Sequence, residues 1–292
     1  MNRGLLYGIG AYGLWGFLPI YWKAVQAVPS TEIVAHRTVW SLVFVALLLT
    51  ARGQWAWLRT VWKNPRTLLI VFAAGTILGI NWLTYIWGVN AGFVVETSLG
   101  YFINPLVNVL LGVLFFSEKM RRWQWAAIGL AATGVLYLTI SYGSLPWIAL
   151  VLAFSFGFYG LLKKKTPLNS LEGLSLETAL LAVPALFYLL FLEASSAGSF
   201  AHTRPIISLL LVFTGVATGL PLLLFAAAAR RVPLSTLGLL QYMAPTIQLF
   251  LGVFLYGEPF TPVRLIGFSF IWLALLIYSV EGMWRRHTFS PA

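Results

Sequence analysis

Apolar residues run through this chain in stretches of about twenty, each ended by a short cluster of charges, prolines or glycines. A helix needs ~20 apolar residues to cross ~30 Å of hydrocarbon, so these stretches read as membrane-spanning helices. The breaks divide the sequence into ten candidate spans: 4–22, 31–50, 67–88, 93–116, 123–141, 145–163, 173–192, 206–228, 234–256 and 262–282. Very short turns separate the third from the fourth, the fifth from the sixth and the ninth from the tenth.

Two parts of this pattern occur twice. Leu99, Pro105, Leu111-Gly112-Val113 and Glu118 recur 140 residues later as Leu239, Pro245, Leu251-Gly252-Val253 and Glu258. Gly79 and Tyr85 correspond in the same way to Gly219 and Phe225. Gly13 and Gly16 correspond to Gly157 and Gly160 at an offset of 144. The chain then divides into two halves of five spans, residues 1–143 and 144–292. Five is odd, so the halves enter the membrane in opposite directions, and Glu118 and Glu258 fall on opposite sides. Inverted repeats of this kind build transporters with a substrate site between the halves. The competing reading is chance similarity between apolar segments, in which Leu, Gly and Val are common.

Composition sharpens the class. Of 292 residues, 60% are hydrophobic and 9% charged, against about 25% charged in a soluble domain. That excludes a water-soluble core and gives an all-α polytopic membrane protein. Cysteine is absent, which removes disulfides, thiol nucleophiles and thiolate metal sites. All eight acids are glutamates. The N-terminus only superficially resembles a signal peptide: it is rich in Trp and Tyr, lacks a small-residue cleavage site and is followed by further spans.

The net charge of +11 is a topology signal rather than a nucleic-acid footprint. With a cytoplasmic N-terminus and ten spans, 15 of the 19 Lys and Arg residues fall in cytoplasmic segments. Lys23, Arg37, Arg204 and Arg264 fall outside. Nine or eleven spans scramble this alternation. Both termini are then expected in the cytoplasm, with membrane lipid as the partner of the basic residues. Trp55, Trp57 and Trp62 read as interfacial anchors in the longest inner loop.

Particular residues resemble a known family. A Pro-containing span, a Leu-Gly-Val segment, a glutamate break and a small-residue span, given twice (Pro105 to Gly134 and Pro245 to Tyr278), are similar to the drug/metabolite transporter superfamily, EamA type. Arg230-Arg231-Val232-Pro233-Leu234-Ser235, Leu239 to Thr246, Tyr21-Trp22-Lys23, Ala35-His36-Arg37 and Asn81-Trp82 through Glu96 to Asn104-Pro105 resemble its RarD group. The resemblance spans nearly the whole chain. It implies a ten-span transporter of a bacterial inner membrane, with cytoplasmic termini.

Polar side chains within the spans are the candidate site. Thr97, Tyr101, Asn104 and Asn108 are spaced four, three and four apart, on one helical face. Gln241 and Gln248 stand at the positions equivalent to Tyr101 and Asn108, and Asn81 and Tyr85 form a further pair four apart. These stripes line a substrate pathway; the alternative is interhelical hydrogen bonding worth ~0.6–2 kcal/mol per contact. Pro105 and Pro245 each remove a backbone donor, giving hinges in one reading and fixed bends in the other. Arg37 either holds an anionic substrate group or a structural carboxylate, or snorkels to the outer surface. His36 is a candidate proton carrier. Glu96 is either a carboxyl that couples protons through burial or a first-turn acid favoured by the helix dipole. Glu118 and Glu258 read as turn and capping residues. Gly4, Gly8, Gly13 and Gly16 allow close helix approach.

The function expected is secondary transport, in the direction of export, of a small organic metabolite or drug-like compound, with proton coupling as a candidate. No nucleotide-binding loop is present. A passive facilitator is the alternative. A membrane-embedded enzyme fits poorly, because three scattered histidines and no aspartate offer no convergent catalytic set. No cofactor, metal site or nucleic-acid partner is expected, and ten spans can enclose a pathway without an oligomer.

Overall fold

The structure is a computed structural model that describes residues 3–116, 121–229, 231, 232, 237 and 240–288. Its elements are all helical among the described residues. They are α1 (Arg3–Ala24), α2 (Ser30–Ala51), α3 (Ala56–Val61), α4 (Pro65–Asn90), α5 (Val94–Phe116), α6 (Arg122–Tyr142), α7 (Trp147–Lys164), α8 (Ser170–Ala194), α9 (Pro205–Ala229), α10 (Met243–Phe250) and α11 (Pro262–Thr288). A wider π-helical stretch, Leu251–Leu255, continues α10. Local chemistry sets several ends. The Asn64 side chain accepts from the Thr67 N–H, with Pro65 at the first helical position of α4. Asn169 and Glu172 form a reciprocal cap at α8. Gly143, at φ 66°, ends α6 in the left-handed conformation that glycine adopts without strain.

Of the ten spans read from the sequence, seven fold as helices long and apolar enough to cross a membrane on their own: α2, α4, α5, α6, α8, α9 and α11. The other three fall short of that measure. Glycine, tyrosine and tryptophan dilute α1, and α7 is shorter. The ninth candidate begins among residues outside the described set, and its described part, Met243–Leu255, is short. Many outward side chains are large and apolar, including Leu69, Phe72, Phe187, Phe191 and Phe254. Helices that are apolar on nearly all sides, with such residues outermost, are built for lipid contact.

The helices of one half pack mainly on those of the other, and the pairings come in exchanged sets. α1 packs on α9 and α7 on α4; α5 packs on α7 and α10 on α1; α2 packs on α9 and α8 on α4. α2 on α8, α6 on α11 and α5 on α10 complete the arrangement. Glycines set the separations. A Cβ on Gly8 of α1 would stand 2.7 Å from Leu240, and one on Gly100 of α5 would stand 3.0 Å from Leu152. Those are the same contact under the two sequence offsets, since Gly8 corresponds to Leu152 and Gly100 to Leu240. Gly16 meets Ile247, and Gly157, the counterpart of Gly13 one turn away, meets Val107, the counterpart of Ile247 at the 140-residue offset. α6 and α11 cross at Gly134 and Gly267.

Candidate substrate site

Arg37 is a charged group buried within a span. It lies on the second turn of α2 and is only 6% exposed, so it does not snorkel to the surface. Its Nε donates to the Thr218 hydroxyl of α9 at 2.9 Å. The guanidinium lies 4.0 Å from the ring centre of Trp82 and 5.1 Å from that of Trp22. Aromatic faces attract a desolvated cation with ~2 kcal/mol, which offsets part of the cost of a charge at this depth. No carboxylate pairs with Arg37 among the described residues, and its Nη1 makes no hydrogen bond there. Tyr21, Tyr85 and Tyr101 are its polar neighbours.

The sequence stripes divide around this arginine. Tyr85 and Tyr101 come together, with ring centres 5.5 Å apart, and the Tyr85 hydroxyl has no partner among the described residues. Asn104 sits one turn further along α5, its carbonyl oxygen also unpartnered. Gln248 is buried and donates to the Trp15 carbonyl of α1 at 3.1 Å, leaving its own oxygen free. Asn81 instead bridges α4 to α7, donating to the Leu152 carbonyl at 3.1 Å and to Ser155 at 2.9 Å. Thr97 bonds back to the Val94 carbonyl of its own helix while its methyl packs near Gly88. Asn108 is exposed beside α7, and Gln241 is half-buried next to Tyr242. Pro105 lies inside α5. Pro245 stands in the first turn of α10 rather than mid-helix, where a missing N–H costs no helical bond. Trp22, Trp82 and Thr218 join the arginine without having been singled out from the sequence as site residues.

Three glutamates tie the halves together at one end of the bundle. Glu32 accepts from the Ser199 N–H at 2.7 Å and its hydroxyl at 2.9 Å. Glu96 accepts from the Ile148 N–H at the start of α7, at 3.1 Å. Glu258, in the turn after the π-helical stretch, accepts from the Val94 and Val95 N–H groups at 2.6 and 2.8 Å. Glu96 and Glu258 thus cap helices of the opposite half rather than their own, satisfying first-turn donors and meeting the positive end of the dipole. Burial nevertheless holds the Glu258 carboxyl above its ordinary value, against the pull of those amides, Arg264 and Lys23. Lys23 donates to the Asn90 carbonyl at 3.3 Å and lies over the Tyr256 ring. Glu118, the counterpart of Glu258, lies outside the described residues. His36 packs on Phe200 with Nε2 3.9 Å from Glu32. No cluster of three metal-ligating side chains occurs among the described residues.

Arg37 is thus a buried cation without an acid partner among the described residues, set among aromatic rings with unpartnered polar atoms near it. The EamA-like transporter family model matches the chain twice, over residues 2–140 and 145–280. The chain belongs to the EamA-like transporter family. It is 51% identical to Protein RarD of Streptomyces exfoliatus, over 97% of this chain and 90% of that one. It is 42% identical to Protein RarD of Escherichia coli (strain K12), over 99% and 98%. A Pseudomonas aeruginosa relative, named Chloramphenicol-sensitive protein RarD, is 32% identical over 94% and 93%. A solved crystal structure shares the fold, with a TM-score of 0.59 at 21% identity over 98% of this chain and 99% of that one. This EamA-family chain is a multi-pass membrane protein related to the RarD proteins.

Proposed function

We propose that this chain is a ten-span secondary transporter, built as two inverted five-helix halves, that exports a small organic compound across the cytoplasmic membrane of a bacterium. Both termini lie in the cytoplasm in this reading. The observation that carries it is the exchange of contacts between the halves, with Gly8 on Leu240 matched by Leu152 on Gly100. Inverted halves that pack in this exchanged way suit rocking of one half against the other, which opens a site between them to each side in turn. The double match to the family model supports the same division. So does the distribution of basic residues. Drug-like amphiphiles are among the candidate cargoes, in line with the name of the Pseudomonas relative. The proton is the candidate driving ion, with the buried outer-end carboxylates as its contact points.

The test is a metabolite and drug library offered to purified protein in proteoliposomes, with and without a proton gradient. Gradient-dependent accumulation of one compound class is the expected result. Flux that only equilibrates makes the protein a passive facilitator, and no flux of any compound sets the transport reading aside. Within that assay, Gln248→Leu and Asn104→Leu are each expected to lower flux about tenfold, or ~1.4 kcal/mol, at unchanged expression. Wild-type flux in both variants removes these residues from the pathway.

A further inference from the structure

We propose that Arg37 anchors the carboxylate of the transported compound, which makes the cargo a small organic monoanion with an apolar body. The inference rests on the transport reading for its route across the membrane, but the site itself follows from the geometry around Arg37. Seven residues separate Arg37 from the start of α2, a depth of roughly 10 Å at 1.5 Å per residue. Buried charges are paired as a rule, and this one faces no acid. The glutamates on the elements packed around it are committed elsewhere: Glu32 to Ser199, Glu96 to Ile148, Glu258 to Val94 and Val95, and on α8 Glu172 to Asn169, Glu177 to Lys163 and Tyr159, and Glu193 to His202. Trp82 and Trp22 stabilise the charge but give its N–H groups nothing to bond.

The unpartnered atoms specify what completes the site. Nη1 of Arg37 has only hydrogens to offer, and the Tyr85 hydroxyl is free to donate. Two donors beside one fixed positive charge suit an acceptor-only group bearing a single negative charge. A carboxylate meets that description, and the guanidinium fork matches its two oxygens. A dianion calls for a second cation, and Lys23 is held at the end of the bundle by Asn90 and Tyr256. Away from the arginine the surroundings are the rings of Tyr85 and Tyr101. Beyond them the free oxygen of Asn104 can receive a donor carried on the cargo's body. A neutral amide of the same shape forfeits the charge, and turns toward the guanidinium an NH2 that it cannot accept. An amine brings like charge to the guanidinium.

The experiment uses the full-length protein in detergent and two matched trios: benzoate, benzamide and benzylamine, and hexanoate, hexanamide and hexylamine. Binding is read by thermal stabilisation and by tryptophan fluorescence, since Trp22 and Trp82 flank the guanidinium. In each trio the carboxylate is expected to bind at least about tenfold more tightly than the amide, with no binding of the amine. Arg37→Gln is expected to abolish carboxylate binding, and Arg37→Lys to weaken it by replacing the fork with a point charge. Tyr85→Phe deletes only a hydroxyl. It is expected to weaken the carboxylate several-fold without changing the amide, and it decides the matter if the Arg37 variants do not fold. Equal binding of amide and carboxylate, carboxylate binding unchanged in Tyr85→Phe and any folded Arg37 variant, or no binding of either carboxylate at millimolar concentration overturns the proposal. Counterflow in proteoliposomes separates this from the transport reading. Carboxylate binding without flux leaves the site and removes transport, whereas flux indifferent to charge does the reverse.

Discussion

Gly215→Leu is expected to leave no folded protein to purify. α9 crosses α2 with Gly215 so close that a Cβ there would stand 2.2 Å from the Trp40 carbonyl oxygen and 2.5 Å from its carbon. Both are backbone atoms, so no rotamer change relieves the overlap; the helices must separate. Overpacking in a close-packed core costs about 1–3 kcal/mol even where side chains can yield, and about 3 kcal/mol or more is expected here. Separation also pulls Thr218, on the next turn of α9, away from the Arg37 Nε it accepts from. The nearby Gly219 is a milder case, because its Cβ would meet the Phe44 ring, which can turn. Gly129 of α6 is the control, with open space where its Cβ would lie. Thermal unfolding in detergent, followed by size-exclusion chromatography, reads the difference. A Gly215→Leu protein that elutes and melts like Gly129→Leu contradicts the close α2–α9 contact.

Glu258→Ala is expected to open the end of the bundle that its carboxylate closes. The substitution leaves the Val94 and Val95 amides without acceptors. Two lost charge-assisted bonds, less the relief of an ion held out of water, come to about 2 kcal/mol, or about 30-fold in the population of open molecules. Leu99→Cys, one turn deeper on α5 and buried in the wild-type fold, reports that opening through its rate of maleimide labelling. The chain has no cysteine of its own to interfere. Acid acts in the opposite direction. The closed end raises the Glu258 pKa by burial, so the closed form holds the proton more tightly than the hydrated open form. Closure therefore gains as pH falls from the raised value toward the ordinary carboxylate value, and loses that gain as pH rises through the raised value. Labelling of Leu99→Cys is expected to slow with acidification in an otherwise wild-type background and to lose that dependence in Glu258→Gln. An unchanged rate in Glu258→Ala removes the seal, and a pH dependence that survives Glu258→Gln assigns it to another group.

The helices were legible in the sequence because their signal is local: about twenty apolar residues, then a charge, a proline or a glycine. Span-forming strength was less so. α1 and α7 pack into the bundle as fully as their neighbours, yet aromatic and glycine content in one and shortness in the other weaken the signal. α3 carries too few residues to stand out from the loop that holds it. Helical period placed Tyr85 and Tyr101 on inward faces, and they meet. The same period cannot say which helix lies opposite, so Asn81, which shares a face with Tyr85, turned out to bridge to α7. The acids make the point most clearly. Glu258 and Val94 are 164 residues apart, and nothing near Glu258 in sequence indicates that it caps a helix of the other half. Arg37 stood out in the sequence as a residue needing explanation, but its contacts lie in Trp22, Trp82 and Thr218 on three other helices.

In the proposed reading, inversion of the halves underlies the exchange of contacts, access from two sides and the place of the Glu258 seal. Its most direct test is the sidedness of one equivalent pair, Ala91 and Arg231, which stand 140 residues apart in turns of the two halves. Each is replaced by cysteine in the cysteine-free chain and exposed in intact cells to a membrane-impermeant maleimide. Ala91→Cys is expected to label from outside, and Arg231→Cys only after the cells are opened. Labelling of both from the same side contradicts the inverted arrangement.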